Sequence, residues 1–456
     1  MVSIVLFKNN LRLNDNDVLF EACKYNDKIL PIYILDELNT DKPLGSSSKY
    51  WLHHSLKSLN NKLNNKLQFY KGDTIKIIDR LLDIHSIDNI FCEEAFLSMD
   101  ITLFDKLDNL CSLNNISLST KNCTLLWKPY HILKSDDTPY KVFTPFYRKG
   151  CLTSDIPKKP VGKPKEINYY DCKNDTYLEQ LELLDNVQWH SKFEKIWNID
   201  EQSALNIFND FIRTKINDYK LERDFPALNK NSSLSPYIRF GLISLNRMWY
   251  ELDKLNSNKS IDHFKSELGW REFSYYLLHH FPHLQYKNMQ PKFDNFEWEN
   301  SIKYFDAWKK GQTGYPIVDA GMRELWQTGF IHNRIRMVVA SFLVKNLLID
   351  WRLGEKWFWD CLVDADYASN VASWQWVAGT GADAAPYFRI FNPILQGKKF
   401  DTNGKYIRHY VPELNSLSDK DLNEPWEIEH NLKYPRPIIE YRYSRQRALE
   451  KYERIK

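Results

Sequence analysis

A short segment near residue 370 combines acidic, amide and indole side chains. Asp364 and Asp366 precede Asn370 within seven residues, and Trp374 and Trp376 follow directly. Carboxylates and amides hydrogen-bond polar ligands. A helix face that only contacts solvent does not need two acids and an amide followed at once by two tryptophans. The segment therefore indicates a ligand or catalytic site.

Two further segments lie upstream of this one. Thr313–Leu325 begins with a turn and continues as a helical pattern, with Pro316 near the first helical position. In the next helical pattern, Asn333 and Met337 are four residues apart and share one helix face. Taken alone, this pair at the start of an apolar helix is explained equally well by plain capping.

Several other chemistries lack their usual motifs. Gly379–Ala384 matches a dinucleotide-binding pattern, but Trp374-Gln375-Trp376 precedes it where a β-strand is required, so we regard the match as coincidental. The histidines of His53-His54 and His279-His280 are adjacent, which points their rings to different helix faces, and we expect no metal site. No phosphate-binding lysine loop or serine-nucleophile elbow is present.

Composition indicates an ordinary globular chain. It has 456 residues, 43% hydrophobic, and a net charge of +3, so contact with nucleic acid would require a local patch. The longest apolar stretch, Met337–Val344, is far shorter than a membrane span, and the N-terminus has no signal-peptide pattern. Seven dispersed cysteines are typical of reduced thiols, so we expect a cytoplasmic location.

Residues 1–130 alternate strand and helix patterns, which predicts a parallel, Rossmann-like α/β domain. The predicted strands are Ser3–Phe7, Ile29–Leu35, Leu67–Tyr70, Asn89–Cys92 and Ser117–Thr120. The predicted helices between them are Asp17–Tyr25, Lys49–Leu63, Thr74–His85 and Asp100–Asn114.

The rest of the chain is predicted to be a linker, residues 131–195, and an all-α domain, residues 196–456. Apolar residues at helical spacing support the second assignment. The predicted helices are Asp200–Arg213, Ile243–Leu255, Ile261–His280, Ser301–Lys310, Pro316–Gly329, Asn333–Ile349, Glu355–Asp360 and Ile438–Lys456.

Four segments together resemble the DNA photolyase/cryptochrome flavoproteins. Thr313–Leu325 and Asn333–Arg352 are similar to the two signature segments of that family. Leu6–Asn16 is similar to its opening segment and Arg389–Lys399 to its closing one. The resemblance covers the whole chain and is strongest to cyclobutane pyrimidine dimer photolyases of class I or III. It implies an N-terminal antenna domain and a C-terminal helical domain that binds FAD.

The resemblance implies a flavin site in the helical domain. Arg336 would pair with Asp364, and Asn370 would face N5 of the flavin. Serine hydroxyls and free N–H groups ahead of a helix suit the diphosphate. The implied flavin-binding residues are Tyr219, Asn231, Ser232, Ser233, Leu234, Ser235, Arg336, Asp364, Ala365, Asp366 and Asn370.

The resemblance also implies a lesion pocket and a route for electrons. The implied catalytic residues are Glu267, Asn333, Met337 and Asn370. The implied lesion- and DNA-binding residues are Arg223, Glu267, Trp270, Arg271, Asn333, Arg334, Trp376 and Gln396. Trp374, Trp351 and Trp298 match the family's electron-hopping series, ordered from the flavin to solvent. Any one of these tryptophans alone is better explained as a core residue, but three matches in order favour the series.

The implied function is light-driven repair of ultraviolet-damaged DNA by a deoxyribodipyrimidine photolyase, a carbon–carbon lyase. Excited reduced FAD would donate an electron to a flipped-out cyclobutane dimer in single- or double-stranded DNA. The alternative is a cryptochrome photoreceptor, but plant cryptochromes carry Asp at the position of Asn370. Photolyases of (6-4) products are disfavoured because they carry two histidines where this chain has Asn333 and Met337. A light-independent flavoprotein or a plain nucleic-acid-binding module would leave the tryptophan series unexplained.

The antenna domain departs from the family pattern. Leu6, Lys8 and Asn10 stand where the family usually has Trp, Arg and Asp. Methenyltetrahydrofolate is the antenna that the family suggests, with Glu93 and Glu94 as candidate contacts, and a deazaflavin or an empty site are the alternatives. We expect a monomer.

Overall fold

The computed structural model describes residues 1–24, 28–40, 42–172, 176–184, 188–428 and 433–456. This part of the chain divides into two compact units. The first comprises residues 1–140, 144–214 and 232–282, and the second comprises 141–143, 215–231 and 283–456. The domain boundaries at residues 130 and 195 stay a prediction. Tyr25 of the first predicted helix, and 173–175 and 185–187 of the predicted linker, lie outside the described residues.

The described residues of the first unit form a five-stranded sheet in the order β3-β2-β1-β4-β5. All strand pairs are parallel, which confirms the predicted α/β fold. The strands are β1 (Val2–Phe7), β2 (Lys28–Leu35), β3 (Gln68–Lys71), β4 (Asn89–Glu93) and β5 (Ser117–Lys121). Every predicted strand lies within one residue of these bounds.

The sheet is held by apolar side chains of its central strands. Ile4, Leu30, Ile32 and Ile90 are at most 1% exposed and share one core with Ile78 of the helix after β3. Strands covered on both faces are typical of parallel sheets. The connecting helices are α1 (Asp17–Lys24), α2 (Ser46–Lys62), α3 (Thr74–Ile84) and α4 (Ser98–Leu113).

The segment after β5 has little regular structure but is bound to the sheet. Tyr169 forms an isolated parallel bridge with Ile29. The backbone N–H of Val161 donates to the Asp15 carboxylate at 2.7 Å. The segment therefore packs along the first unit.

The remainder of the chain is helical, as predicted. Its helices are α5 (Phe143–Pro145), α6 (Glu201–Thr214), α7 (Tyr219–Glu222), α8 (Ser235–Arg239), α9 (Leu245–Asp253), α10 (Lys259–His280), α11 (Ile302–Lys309), α12 (Pro316–Thr328), α13 (Asn333–Ser341), α14 (Trp351–Cys361), α15 (Tyr367–Ala378), α16 (Pro393–Phe400), α17 (Lys405–Tyr410) and α18 (Tyr441–Glu453). No helix of the described chain is long and apolar enough to cross a membrane.

Three helix predictions around the candidate site were inaccurate. The predicted helix Asn333–Ile349 ends its α-helical part at Ser341 and continues as a π-helical turn, Phe342–Asn346. Helix α14 begins at Trp351, four residues before the predicted start, because the Asp350 side chain accepts from the N–H of Arg352 and caps the helix. Helix α15 was not predicted.

Candidate functional site

A buried ion pair joins α13 to the turn before α15 in the second unit. Nη2 of Arg336 donates to both carboxylate oxygens of Asp364, at 3.0 and 2.8 Å. Nε of Arg336 donates to the carbonyl of Ile331 at 2.8 Å, which fixes the guanidinium on its other side. The Asp364 side chain is only 3% exposed, whereas the Arg336 side chain is 25% exposed, so the carboxylate is the member of the pair that is held away from water.

The start of α15 is arranged by two polar side chains. Asp366 is the N-cap and accepts from the N–H of Ser369 at 2.9 Å, which uses one of its oxygens. Nδ2 of Asn370 donates to Oε1 of Glu355 at 2.6 Å and to the Glu355 carbonyl at 3.1 Å. The amide of Asn370 therefore has a fixed orientation, with its oxygen on the opposite side. Ala365, between the two acids, is also buried.

Trp374 lies on the same helix and is 2% exposed. Its ring meets Phe358 at 5.0 Å and Trp308 at 6.4 Å between centroids. Gly354 makes this packing possible, because a Cβ there would lie 2.3 Å from the indole. The tryptophan is therefore closely surrounded by aromatic side chains.

The other two tryptophans of the predicted series have different surroundings. Trp351 is 1% exposed, and its Nε1 donates to Oδ1 of Asn288 at 3.0 Å. Trp298 is only half-buried and packs on Phe296, with ring centroids 4.5 Å apart. Trp298 is thus less buried than Trp374 and Trp351.

One face of α13 carries the predicted lesion residues. Asn333 is exposed and Met337 is half-buried. Nη1 of Arg334 lies 4.0 Å from Sδ of Met337, and its guanidinium is 4.5 Å from the Phe400 ring centroid. Trp376 of α15 is half-buried as well.

The second unit carries four more of the predicted residues, Tyr219, Arg223, Asn231 and Gln396. Tyr219 is buried, and the Arg223 guanidinium lies 5.3 Å from the centroid of its ring. Asn231 is half-buried. Oε1 of Gln396 is buried and has no hydrogen-bond partner among the described residues.

Four residues of the predicted diphosphate-binding segment, Ser232–Ser235, belong to the first unit. Leu234 is fully buried, and its N–H donates to Oγ of Ser232 at 3.4 Å. Ser233 has a φ of +55°, which turns the chain sharply before Ser235 begins α8. Residues 232–234 therefore form a tight turn directly ahead of α8.

The first unit also carries three predicted lesion residues on α10. The Glu267 carboxylate is 28% exposed and lies 3.6 Å from Nε2 of His263. Trp270 packs on Phe273 at 5.9 Å. Nη1 of Arg271 donates to the carbonyl of Thr124 at 2.8 Å, so part of this guanidinium is engaged within the unit.

In the second unit, Arg336, Asp364 and Asn370 are thus each held by hydrogen bonds to neighbouring side chains. In the first unit, Glu267 and Arg271 lie on one helix, α10. Sequence reasoning missed Glu355. No spacing pattern marks it, because its partner Asn370 is on another helix. Among the described residues, no group of three or more His, Cys, Asp or Glu side chains could hold a metal ion.

Comparisons with known proteins agree with this arrangement. Residues 3–165 match the family model described as DNA photolyase, and residues 264–454 match the FAD binding domain of DNA photolyase. A deoxyribodipyrimidine photo-lyase from Agrobacterium fabrum is 41% identical, over 99% of this chain and 98% of the relative.

Two solved structures share the fold over their full lengths. The class III photolyase from Agrobacterium tumefaciens has a TM-score of 0.95 at 41% identity and covers 99% of this chain and 97% of its own. The photolyase from Sulfolobus tokodaii, solved with two FAD molecules, has a TM-score of 0.86 at 30% identity and covers 100% of both chains.

A parallel α/β region followed by a helical FAD-binding domain is the architecture of a light-dependent flavoprotein of the photolyase and cryptochrome type. The chain belongs to the DNA photolyase family.

Proposed function

We propose that this protein repairs cyclobutane pyrimidine dimers in ultraviolet-damaged DNA by light-driven electron transfer. The observation that carries the proposal is the buried polar group Asp364, Asp366 and Asn370, each under a tenth exposed, directly ahead of buried Trp374. Its neighbour Arg336 adds a donor. This set of donors and acceptors fits an isoalloxazine ring and a ribose.

Reduced FAD would supply the light-excited electron that splits the dimer and would receive it back. The protein's own residues would hold and shield it. Arg336 and Asp364 would present fixed donors and acceptors to the ring, and Asn370 is already oriented by Glu355. Preorganised groups of this kind need no rearrangement when charge develops.

The lesion would meet Asn333 and Met337 on α13. One is a neutral amide and the other a thioether, so neither transfers a proton at neutral pH. Repair of (6-4) products in the family uses histidines at these positions, which suit proton transfer. The cyclobutane dimer, which is split by electron transfer, is therefore the substrate we propose. Trp270 and Trp376 would stack on the flipped bases, and Arg223, Arg334 and Gln396 would contact the DNA.

Repair is expected to be strictly light-dependent. Purified protein loaded with reduced FAD should remove dimers from ultraviolet-irradiated oligothymidine under blue light and none in darkness. The measurement is chromatography of the oligomers before and after illumination. Activity on (6-4) products without activity on dimers would show that Asn333 and Met337 were misinterpreted. FAD binding without any repair would favour a photoreceptor.

Replacing Glu267 with Ala is expected to lower the repair yield per absorbed photon while flavin content is unchanged. A carboxyl group beside the lesion would stabilise charge arriving on the pyrimidines through a hydrogen bond. The measurement is the quantum yield at saturating DNA. Glu251→Ala is the control, because that carboxylate of the same unit pairs with Lys254 on the surface. Equal quantum yields in the Glu267 variant and the parent would show that Glu267 does not act on the lesion.

For the antenna, we propose methenyltetrahydrofolate in the first unit. Of the two candidate acids, Glu94 is engaged by Lys128 and Tyr130. Oε1 of Glu93 is buried without a hydrogen-bond partner among the described residues, and burial raises the pKa of this carboxyl group to about 6. Glu93 is therefore the better candidate contact. A deazaflavin or an empty site remain the alternatives, and the Sulfolobus tokodaii relative contains a second FAD.

A further inference from the structure

His332 directly precedes α13, and its imidazole ring makes two hydrogen bonds. Nδ1 accepts from the N–H of Arg334 at 3.1 Å and caps the helix. The ring also hydrogen-bonds the backbone of Arg223. The residue is 6% exposed, and burial lowers the pKa of the imidazole to about 4, so the ring is neutral. Because Nδ1 accepts, the neutral ring carries its hydrogen on Nε2.

A second link joins the same two segments. The carboxylate of Asp224, which follows Arg223, forms an ion pair with the Arg334 guanidinium. The same carboxylate lies 3.9 Å from Nε of Arg223. Two arginines from different elements therefore converge on one acid, and the His332 ring ties their backbones together.

The backbone of His332 is also fixed by a hydrogen bond. Its backbone N–H donates to Oε2 of Glu324 at 3.2 Å, and the hydroxyl of Tyr406 donates to the same oxygen at 2.6 Å. Glu324 is on α12 and Tyr406 on α17. The backbone of His332 is therefore held by Glu324, and Glu324 is held in turn by Tyr406.

We propose that His332 is a positioning residue that sets the spacing between Arg223 and Arg334, and thereby the fit of these two cations to the phosphates of lesion-bearing DNA. The inference rests on the proposed function. Phosphate contacts fix the register of a protein on DNA. Two arginines held at a fixed spacing fit one backbone geometry, whereas arginines free to separate still attract any DNA by charge. The spacing should therefore affect preference for the lesion more than general affinity.

Two substitutions separate the two contacts of the ring. His332→Asn keeps an acceptor near the place of Nδ1 and caps the helix well, but it is too short to reach the backbone of Arg223. His332→Gln places an amide nitrogen near the position of Nε2 and loses the cap. The readout is the ratio of Kd for undamaged DNA to Kd for dimer-containing DNA of the same length, measured in darkness.

We expect His332→Asn to lower this ratio about tenfold, the effect of one hydrogen bond. Its Kd for undamaged DNA, its FAD content and its repair rate at saturating DNA should match the parent. His332→Gln should keep a ratio close to the parent's but show a lower Tm. Asp73→Ala is the matched control, because it removes the N-cap of α3, far along the chain from both arginines. It should lower Tm and leave the ratio unchanged.

Asp224→Asn tests the second link and decides the matter if His332→Asn does not fold. It should also lower the ratio, in this case partly by tightening the binding of undamaged DNA. Unchanged ratios in the folded variants, or an equal loss in His332→Gln and His332→Asn, would overturn the positioning role. A parent protein that does not distinguish damaged from undamaged DNA would instead contradict the proposed function.

Discussion

Trp374→Phe is expected to slow light-driven reduction of bound, oxidised FAD by orders of magnitude while FAD stays bound. The indole is the oxidisable group, and phenylalanine cannot give up an electron to an excited flavin under the same conditions. Phenylalanine preserves most of the contacts with Gly354 and Phe358 that hold this side chain. The substitution therefore removes the electron donor with little change in packing.

The measurement is the loss of oxidised-flavin absorbance under blue light with an external thiol as the final reductant. Trp249→Phe is the control, because Trp249 is also buried but belongs to the first unit, where it packs on Trp127. Chemically pre-reduced Trp374→Phe protein should repair dimers at the parent rate. Photoreduction at the parent rate would mean that the electrons do not pass through Trp374.

Arg336→Met is expected to cost about 3 kcal/mol of folding free energy and most of the FAD content. Removing one partner of a buried ion pair leaves the other charge uncompensated. Asp364 is the partner left behind, and its side chain is 3% exposed. Methionine fills part of the volume of arginine, so the loss reflects charge more than cavity formation.

Arg408→Met provides the matched comparison. Arg408 pairs with Asp419 at 2.7 Å, but the Asp419 side chain is 59% exposed and is hydrated when left alone. This variant should retain FAD, and its loss of stability should come from the two carbonyl contacts of Arg408, with Asn403 and Leu417, more than from the exposed ion pair. The measurements are thermal unfolding of the purified proteins and the ratio of flavin to protein absorbance. Equal behaviour of the two variants would show that the burial of Asp364 is not what makes its pair important.

The strands could be predicted closely because buried parallel strands are short apolar runs between polar turns. Helix ends were harder where side chains decide them. Asp350 is an ordinary N-cap signal that would have moved the start of α14 back to Trp351. The π-helical turn after Ser341 has no local pattern. Within it, buried Lys345 donates to the carbonyl of Arg389 at 3.0 Å, a contact between residues far apart in sequence.

The residues of the candidate site could also be predicted only where the sequence itself marks them. Asp364, Asn370 and Trp374 are close together in sequence and stand out by residue type. Glu355 and Glu324 do not, because each acts through a partner on another element. Resemblance to the family supplied roles for motif residues, but the side chains that hold those residues in place became visible only with the tertiary contacts.

The contact between Asn370 and Glu355 determines how an acidic side chain at position 370 would interact with its neighbour. The amide donates to Oε1 of Glu355 at 2.6 Å, and it carries no titratable proton. A carboxyl group in its place would face a second carboxyl group at that distance, and the two could not both be ionised. They would share one proton and titrate as a coupled pair. A single amide-to-acid exchange at residue 370 would thus place a second carboxyl group against Glu355, beside the proposed flavin.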